Sequence, residues 1–165
     1  MNEDNLKQLV TQGLSAMKAG SDVAARATDE ISDDATHPAL KEALAEGNRT
    51  SKQWADRIGR AVQATSQGGD QQGGQPGDNP VLDAHYEVSR RIRAQAPDDA
   101  SRDLGIIANG QLALHYWIAA FGTMANYTKQ LGLTDVAGEM KSSADEAKQA
   151  DEKHTQIAEQ LLGQG

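Results

Sequence analysis

Asp151 and His154 stand three residues apart in a stretch of strong helix formers, a spacing that puts a carboxylate and an imidazole on one helix face. That is the spacing of a helical metal half-site, with donors that suit iron or manganese. No second half accompanies it, and Asp and His near a helix end are more commonly engaged in capping or pairing. His115 lies in the most apolar stretch of the chain. There a histidine most often hydrogen-bonds a core neighbour and less often ligates metal or relays protons. His85-Tyr86-Glu87 echoes His115-Tyr116-Trp117, and Glu87 is a further carboxylate that could join His115, Asp151 and His154. Trp54 and Trp117 read as core or interface anchors rather than a cofactor box. The glycines between residues 68 and 77 follow no strand and carry no GK[ST], so no phosphate loop is indicated. Serines and histidines occur, but no spacing among them proposes a nucleophile–base pair. With no cysteine, disulfides and thiolate-ligated metals are excluded.

The 165 residues suffice for one domain, 1–165. Hydrophobic content is 38% and aromatic content 4%, low for a packed globule, but alanine is frequent and Ala-rich helices can pack closely without large side chains. Ala, Leu, Gln, Lys and Glu dominate and β-branched runs are scarce, so the composition is helical. A net charge of −8 argues against nucleic acid or an anionic membrane as partner, since both need a cationic footprint. Arg90, Arg91 and Arg93 then form a solvated helix face. The opening MNEDNLKQLV lacks the basic and apolar regions of a signal peptide, and no window is expected to approach a membrane span. A cytoplasmic protein is expected.

These residues need helices to position them, and the apolar periodicity supplies five. The first runs from about Asp4 to Ser32, with Val10, Leu14, Met17, Ala24 and Ile31 on one face and a kink allowed at Gly20. After a turn ending at Pro38, the second continues to about Ala64, burying Leu40, Leu44, Gly47, Ser51, Trp54, Ile58 and Val62. Residues 66–80, with five glycines and two prolines, read as a flexible Gly/Pro/Gln-rich loop between two helical halves. A short third helix spans about Pro80 to Gln95. The fourth, capped by Asp98 or Asp99, reaches about Gln130 and is apolar on nearly every side, so several neighbours should bury it. Gly132 stops it; Thr134 caps a fifth helix reaching about Leu162, its stripe running through Val136, Met140, Ala144, Ala147, Asp151, His154, Ile157 and Leu161. Two hairpins joined by a long connection predict an all-α, ferritin-like four-helix bundle with an additional short helix.

The fourth helix also carries a resemblance. Arg102-Asp103, Gln111, His115-Tyr116, Ala119, Gly122-Thr123 and Gln130-Leu131-Gly132 are similar, without a gap, to the YciE/YciF family of bacterial stress proteins, whose segment reads EHYEIASYGT…AEQLG. Weaker agreement extends along nearly the whole chain. The resemblance implies a ferritin-like bundle, usually dimeric, with a carboxylate-rich dinuclear metal site. This sequence departs from that site: the family's glutamates fall on Met17, Leu114, Trp117 and Ala147, its Glu-x-x-His on Arg49 and Lys52, and only the aspartate is kept, as Asp151. A Lys52 ammonium about 5 Å from a dication would repel it by roughly 7 kcal/mol at an effective dielectric near 20.

Three functions follow as expectations. The first is a non-enzymatic stress-associated bundle without resident cofactor, in which Lys52 or Arg49 pairs with Asp151 across the core in place of the metal. The second is a metal-dependent oxidase or peroxide-handling protein with an iron or manganese site rebuilt from Glu87, His115, Asp151 and His154. The third is a small-ligand binder in the bundle core. A homodimer is expected from the resemblance, with Tyr116, Trp117, Phe121 and Tyr127 as candidate interface anchors.

Overall fold

The computed structural model describes residues 2–66 and 78–163. They form five helices, α1 (Glu3–Asp34), α2 (Pro38–Ser66), α3 (Pro80–Gln95), α4 (Asp99–Gln130) and α5 (Thr134–Leu162), and no strand among the described residues. The ends of the helices follow local chemistry. Asn79 accepts the Leu82 N–H at 3.1 Å with Pro80 in the first helical position, and Asp98 accepts the Ser101 N–H at 2.7 Å. Gly132, at φ +75°, ends α4 in the left-handed conformation that favours glycine. Thr134 is the first residue of α5 rather than its cap; the capping position is Leu133, which offers no side-chain acceptor. The expected loop at 66–80 falls mostly outside the described residues: Ser66 ends α2 and Asn79 already caps α3.

The four long helices form a ring in the order α1, α2, α5, α4, each antiparallel to its neighbours, with α3 laid against α1 and α4. The running order of cross-contacts fixes these directions. Glu46 meets Lys153 while Arg60 meets Glu139 along α2 and α5, and Gly20 approaches Leu82 while Asp34 meets Arg93 along α1 and α3. The chain thus makes one hairpin, returns along its length through α3, and makes the second.

Two hydrophobic clusters stabilise the bundle. The larger includes Val10, Leu14, Met17, Trp54, Ile58, Phe121, Met140 and Ala147; the smaller gathers Ala35, Leu40, Ala43, Ile106, Ile107 and Ile157 near the α1–α2 turn. That turn is pinned by α4. The carboxylate of Asp103, 1% exposed, accepts the Thr36 N–H at 2.9 Å, the Thr36 hydroxyl at 2.7 Å and the His37 N–H at 2.7 Å.

Several expectations are corrected. α1 is continuous through Gly20, which serves a close approach: a Cβ there would lie 2.6 Å from Asn79 Nδ2 and 2.8 Å from Leu82 Cδ1. α4 packs against α1, α3 and α5, as its apolar circumference predicts, but one stripe stays open to solvent. Trp117 and Phe121 are core, while Leu112 on the opposite side is 65% exposed. The proposed interface aromatics are therefore largely internal: Trp117 stacks on Phe121 at 5.3 Å, and the half-buried Tyr116 hydroxyl accepts from Asn79 Nδ2 at 2.7 Å. Finally, α4 is long and apolar enough, by length and composition alone, to cross a membrane, contrary to the expectation that no window approaches a span. In this fold it packs beside α1, α3 and α5.

Candidate functional site

The residues expected to exchange a metal for an ion pair are not together. Arg49 and Lys52 are both exposed, and Asp151 instead lies 3.2 Å from Nε2 of His115, a side chain 66% exposed. Helical geometry gives the reason. Trp54, Ile58 and Ala61 fix the inward face of α2. At 3.6 residues per turn, Lys52 sits about 160° around the axis from Trp54. The α2–α5 ion pair exists farther along the helix. Arg57 donates to both carboxylate oxygens of Glu146, at 2.7 and 3.0 Å, and to Ser143 Oγ at 2.9 Å, while Trp54 Nε1–H donates to Glu146 Oε2 at 2.7 Å. Burial acts to raise the Glu146 pKa, but the Arg57 and Trp54 hydrogen bonds outweigh it and the carboxyl ends below its ordinary value. The hydrogen bond that Arg57 donates to Glu146 raises the Arg57 pKa in turn.

The four residues of a rebuilt metal site are likewise dispersed. Glu87 pairs with Arg90 and Arg91 on the outer side of α3, the His115–Asp151 pair is at the surface of α4 and α5, and His154 is buried. Among the described residues no three His, Asp or Glu side chains are placed to hold one ion. Met17 and Ala147 are packed into the larger cluster, and Glu146 is engaged by Arg57. The donor set does not fit a dinuclear centre, which needs several carboxylates converging with imidazoles.

What occupies the middle of the bundle is a cavity of about 360 Å³, lined from all five helices. Its walls show why it exists. Ala27, Ala43, Gly47, Gly110, Ala113 and Ala150 face it, so small residues stand where four helices would otherwise fill the axis. Alanine here opens space instead of drawing the helices together, and the cavity touches members of both core clusters, Trp117 of the larger and Ile106 of the smaller.

Several polar groups border this space with no hydrogen bond among the described residues: the His154 imidazole Nε2, the Asn109 amide oxygen, the Thr50, Ser51 and Ser89 hydroxyls and the Gln149 amide. Of these, Asn109 Oδ1 alone is fully buried. The Nδ1 of His154 lies 2.7 Å from the Ala150 carbonyl, which can only accept, so Nδ1 carries the proton and Nε2 offers a lone pair. No hydrogen bond to Nε2 occurs among the described residues. Asn109, 6% exposed, has its Oδ1 buried and unpartnered, while its backbone carbonyl accepts from His85 Nε2 at 2.7 Å. Neither Asn109 nor Glu146 was singled out by the sequence reading; an asparagine in the middle of an apolar helix was the available signal.

Burial holds the His154 pKa below its ordinary 6.5, against the opposing pull of the Ala150 carbonyl and Asp151. The unfolded chain therefore binds this proton first as pH falls. The contribution of the neutral imidazole is complete above about 6.5 and is lost as pH drops towards the folded value, at up to about 1.4 kcal/mol per pH unit. His154→Phe should flatten the fall in chemical-denaturation midpoint between neutral and mildly acid pH. An unchanged slope would place the responsible group elsewhere.

Two antiparallel helical hairpins joined by a long crossover define a ferritin-like bundle. The chain belongs to the family described as Domain of unknown function (DUF892), whose model matches residues 5–165. Over 78 residues it is 40% identical to protein YciF of Escherichia coli (strain K12), a match spanning about half of either protein, 47% of each. The crystal structure of the E. coli stress protein YciF superposes with a TM-score of 0.88 at 21% identity, covering 97% of this chain and 98% of that one. YcfI from Rhodopseudomonas palustris gives 0.81 at 21% identity, covering 91% and 92%. The family read from the α4 segment is confirmed.

Proposed function

We propose that this protein is a non-enzymatic, ferritin-like bundle of the YciF type, associated with stress responses, whose centre is a cavity in place of a dinuclear metal site. The stress association comes from E. coli YciF, described as a stress protein. The observation that carries the rest is the composition of the bundle axis. A space of about 360 Å³ is bordered mainly by Ala, Gly and apolar side chains, with Glu146 engaged by Arg57. No carboxylate pair and imidazole converge there among the described residues. Elemental analysis of protein expressed with added iron and manganese should find well under one metal per chain. Two per chain would overturn the reading.

A homodimer is part of the proposal. Val81, Val88 and Ile92 on α3 and Leu112 on α4 leave apolar surface on two helices packed together. Light scattering after size exclusion at low micromolar concentration should give about twice the 17.6 kDa of one chain. A mass near one chain at every concentration would rule the dimer out.

A further inference from the structure

The central cavity has the size, lining and polar inventory of a ligand site. Small-molecule sites run from about 300 to 1,000 Å³, mostly apolar with a few placed polar groups. At about 360 Å³ this one lies at the small end of that range. Charge is already accounted for at its border. Glu146 is held by Arg57 and Trp54, and Lys153 by Glu46, so no bordering ion is free to select a charged ligand. What remains open is one fully buried acceptor, Asn109 Oδ1 on α4, the His154 Nε2 lone pair on α5, and the unpartnered Thr50, Ser51, Ser89 and Gln149 side chains, which can donate as well as accept. A buried acceptor without a donor carries a desolvation penalty, so a complementary ligand brings an O–H. The walls are in part aromatic. Trp54 and Trp117 both border the space, their rings tilted by 50° with centroids 6.1 Å apart, and Tyr86 lies on the α3 side. Aromatic ligands gain from edge and offset contacts with such rings.

We infer that the cavity binds a small, neutral aromatic alcohol of the phenol class, whose hydroxyl donates to His154 Nε2 or Asn109 Oδ1 while its ring lies against the apolar and aromatic walls. Burial keeps the imidazole neutral, which preserves the Nε2 lone pair as an acceptor. The inference rests on the metal-free reading of the bundle centre in one respect, because it needs Nε2 unligated.

Titration of the full chain with 4-ethylphenol and with ethylbenzene, followed by calorimetry and tryptophan fluorescence, tests it. The only two tryptophans in the sequence both border the cavity, so occupancy should change the emission. The phenol should bind at least about tenfold more tightly than the hydrocarbon. Asn109→Leu and His154→Phe should each narrow that ratio, and Ala113→Leu, which projects a larger side chain into the space, should abolish binding of both compounds. The two-compound comparison on unaltered protein stands even where a variant fails to fold. Absence of phenol binding to metal-free protein, equal affinity for the two compounds, or undiminished binding by folded Ala113→Leu would each overturn the inference. Elemental analysis judges the metal-free reading separately: stoichiometric metal removes both, whereas metal-free protein that ignores the phenol removes this inference alone.

Discussion

Asp103→Ala is expected to lower the unfolding free energy by about 4 kcal/mol, because one carboxylate holds the turn between the first two helices. Its two oxygens accept three hydrogen bonds, from the Thr36 N–H and hydroxyl and the His37 N–H, at 2.7 to 2.9 Å. The Asp103 side chain is 1% exposed, whereas Thr36 is exposed and His37 half-buried, so truncation opens a gap beneath the turn while some of the freed donors can turn to water. Hydrogen bonds to a charged acceptor contribute about 1.5–3 kcal/mol each, and an orphaned buried donor costs about 1–3. Asp103→Asn keeps the shape and one oxygen, so its loss should be intermediate. Urea denaturation of the three proteins checks the order. A loss below about 1 kcal/mol for the alanine variant would show that the turn is held by its backbone alone.

Glu146→Ala is expected to destabilise by about 3 kcal/mol, while Arg57→Met combined with Glu146→Leu costs much less. The single change leaves Arg57, 19% exposed in its side chain, without its bidentate partner and Trp54 Nε1–H without an acceptor. The double change removes both charges and substitutes apolar contact. Because the folded carboxyl is held below its ordinary 4.5, its contribution is complete above that value and disappears as pH falls through the folded pKa. The single variant should therefore lie closest to the parent in strong acid. Equal losses for the single and double variants would show that Arg57 relaxes into water.

Much of the architecture was legible because it rests on period and punctuation. Pro80 to Gln95 for α3, the Asp98 cap and the Gly132 stop follow from local rules that tertiary packing did not override. The site was less legible, and particular residues show why. Transferring a family register onto α2 put Arg49 and Lys52 inward, yet a rotation of half a turn decides whether a charge meets core or solvent, and both face solvent. Arg57 and Glu146 are 89 residues apart, and no local pattern announces such a pair. Gly20 reads as a breaker in sequence, whereas the Asn79 and Leu82 side chains that require its missing Cβ come from a helix about 60 positions later. The cavity was foreseen only as an alternative, room for a small ligand in the core, and its walls were not, since alanine on an inward face is equally consistent with close helix approach and with empty space.

The hollow centre also bears on how this protein responds to compression. Pressure favours whichever state has the smaller volume, and unfolding removes internal voids; the volume change is on the order of −20 to −100 mL/mol and scales with the void eliminated. The cavity of about 360 Å³, open to solvent beside the Glu46–Lys153 pair, adds to that volume change through the part of it that water does not fill. Side chains or a guest molecule that fill the space reduce that contribution, without any change in the helices or in the ties that join them. Packing density thus becomes an adjustable property of the bundle axis, set by the alanines and glycines of α1, α2, α4 and α5.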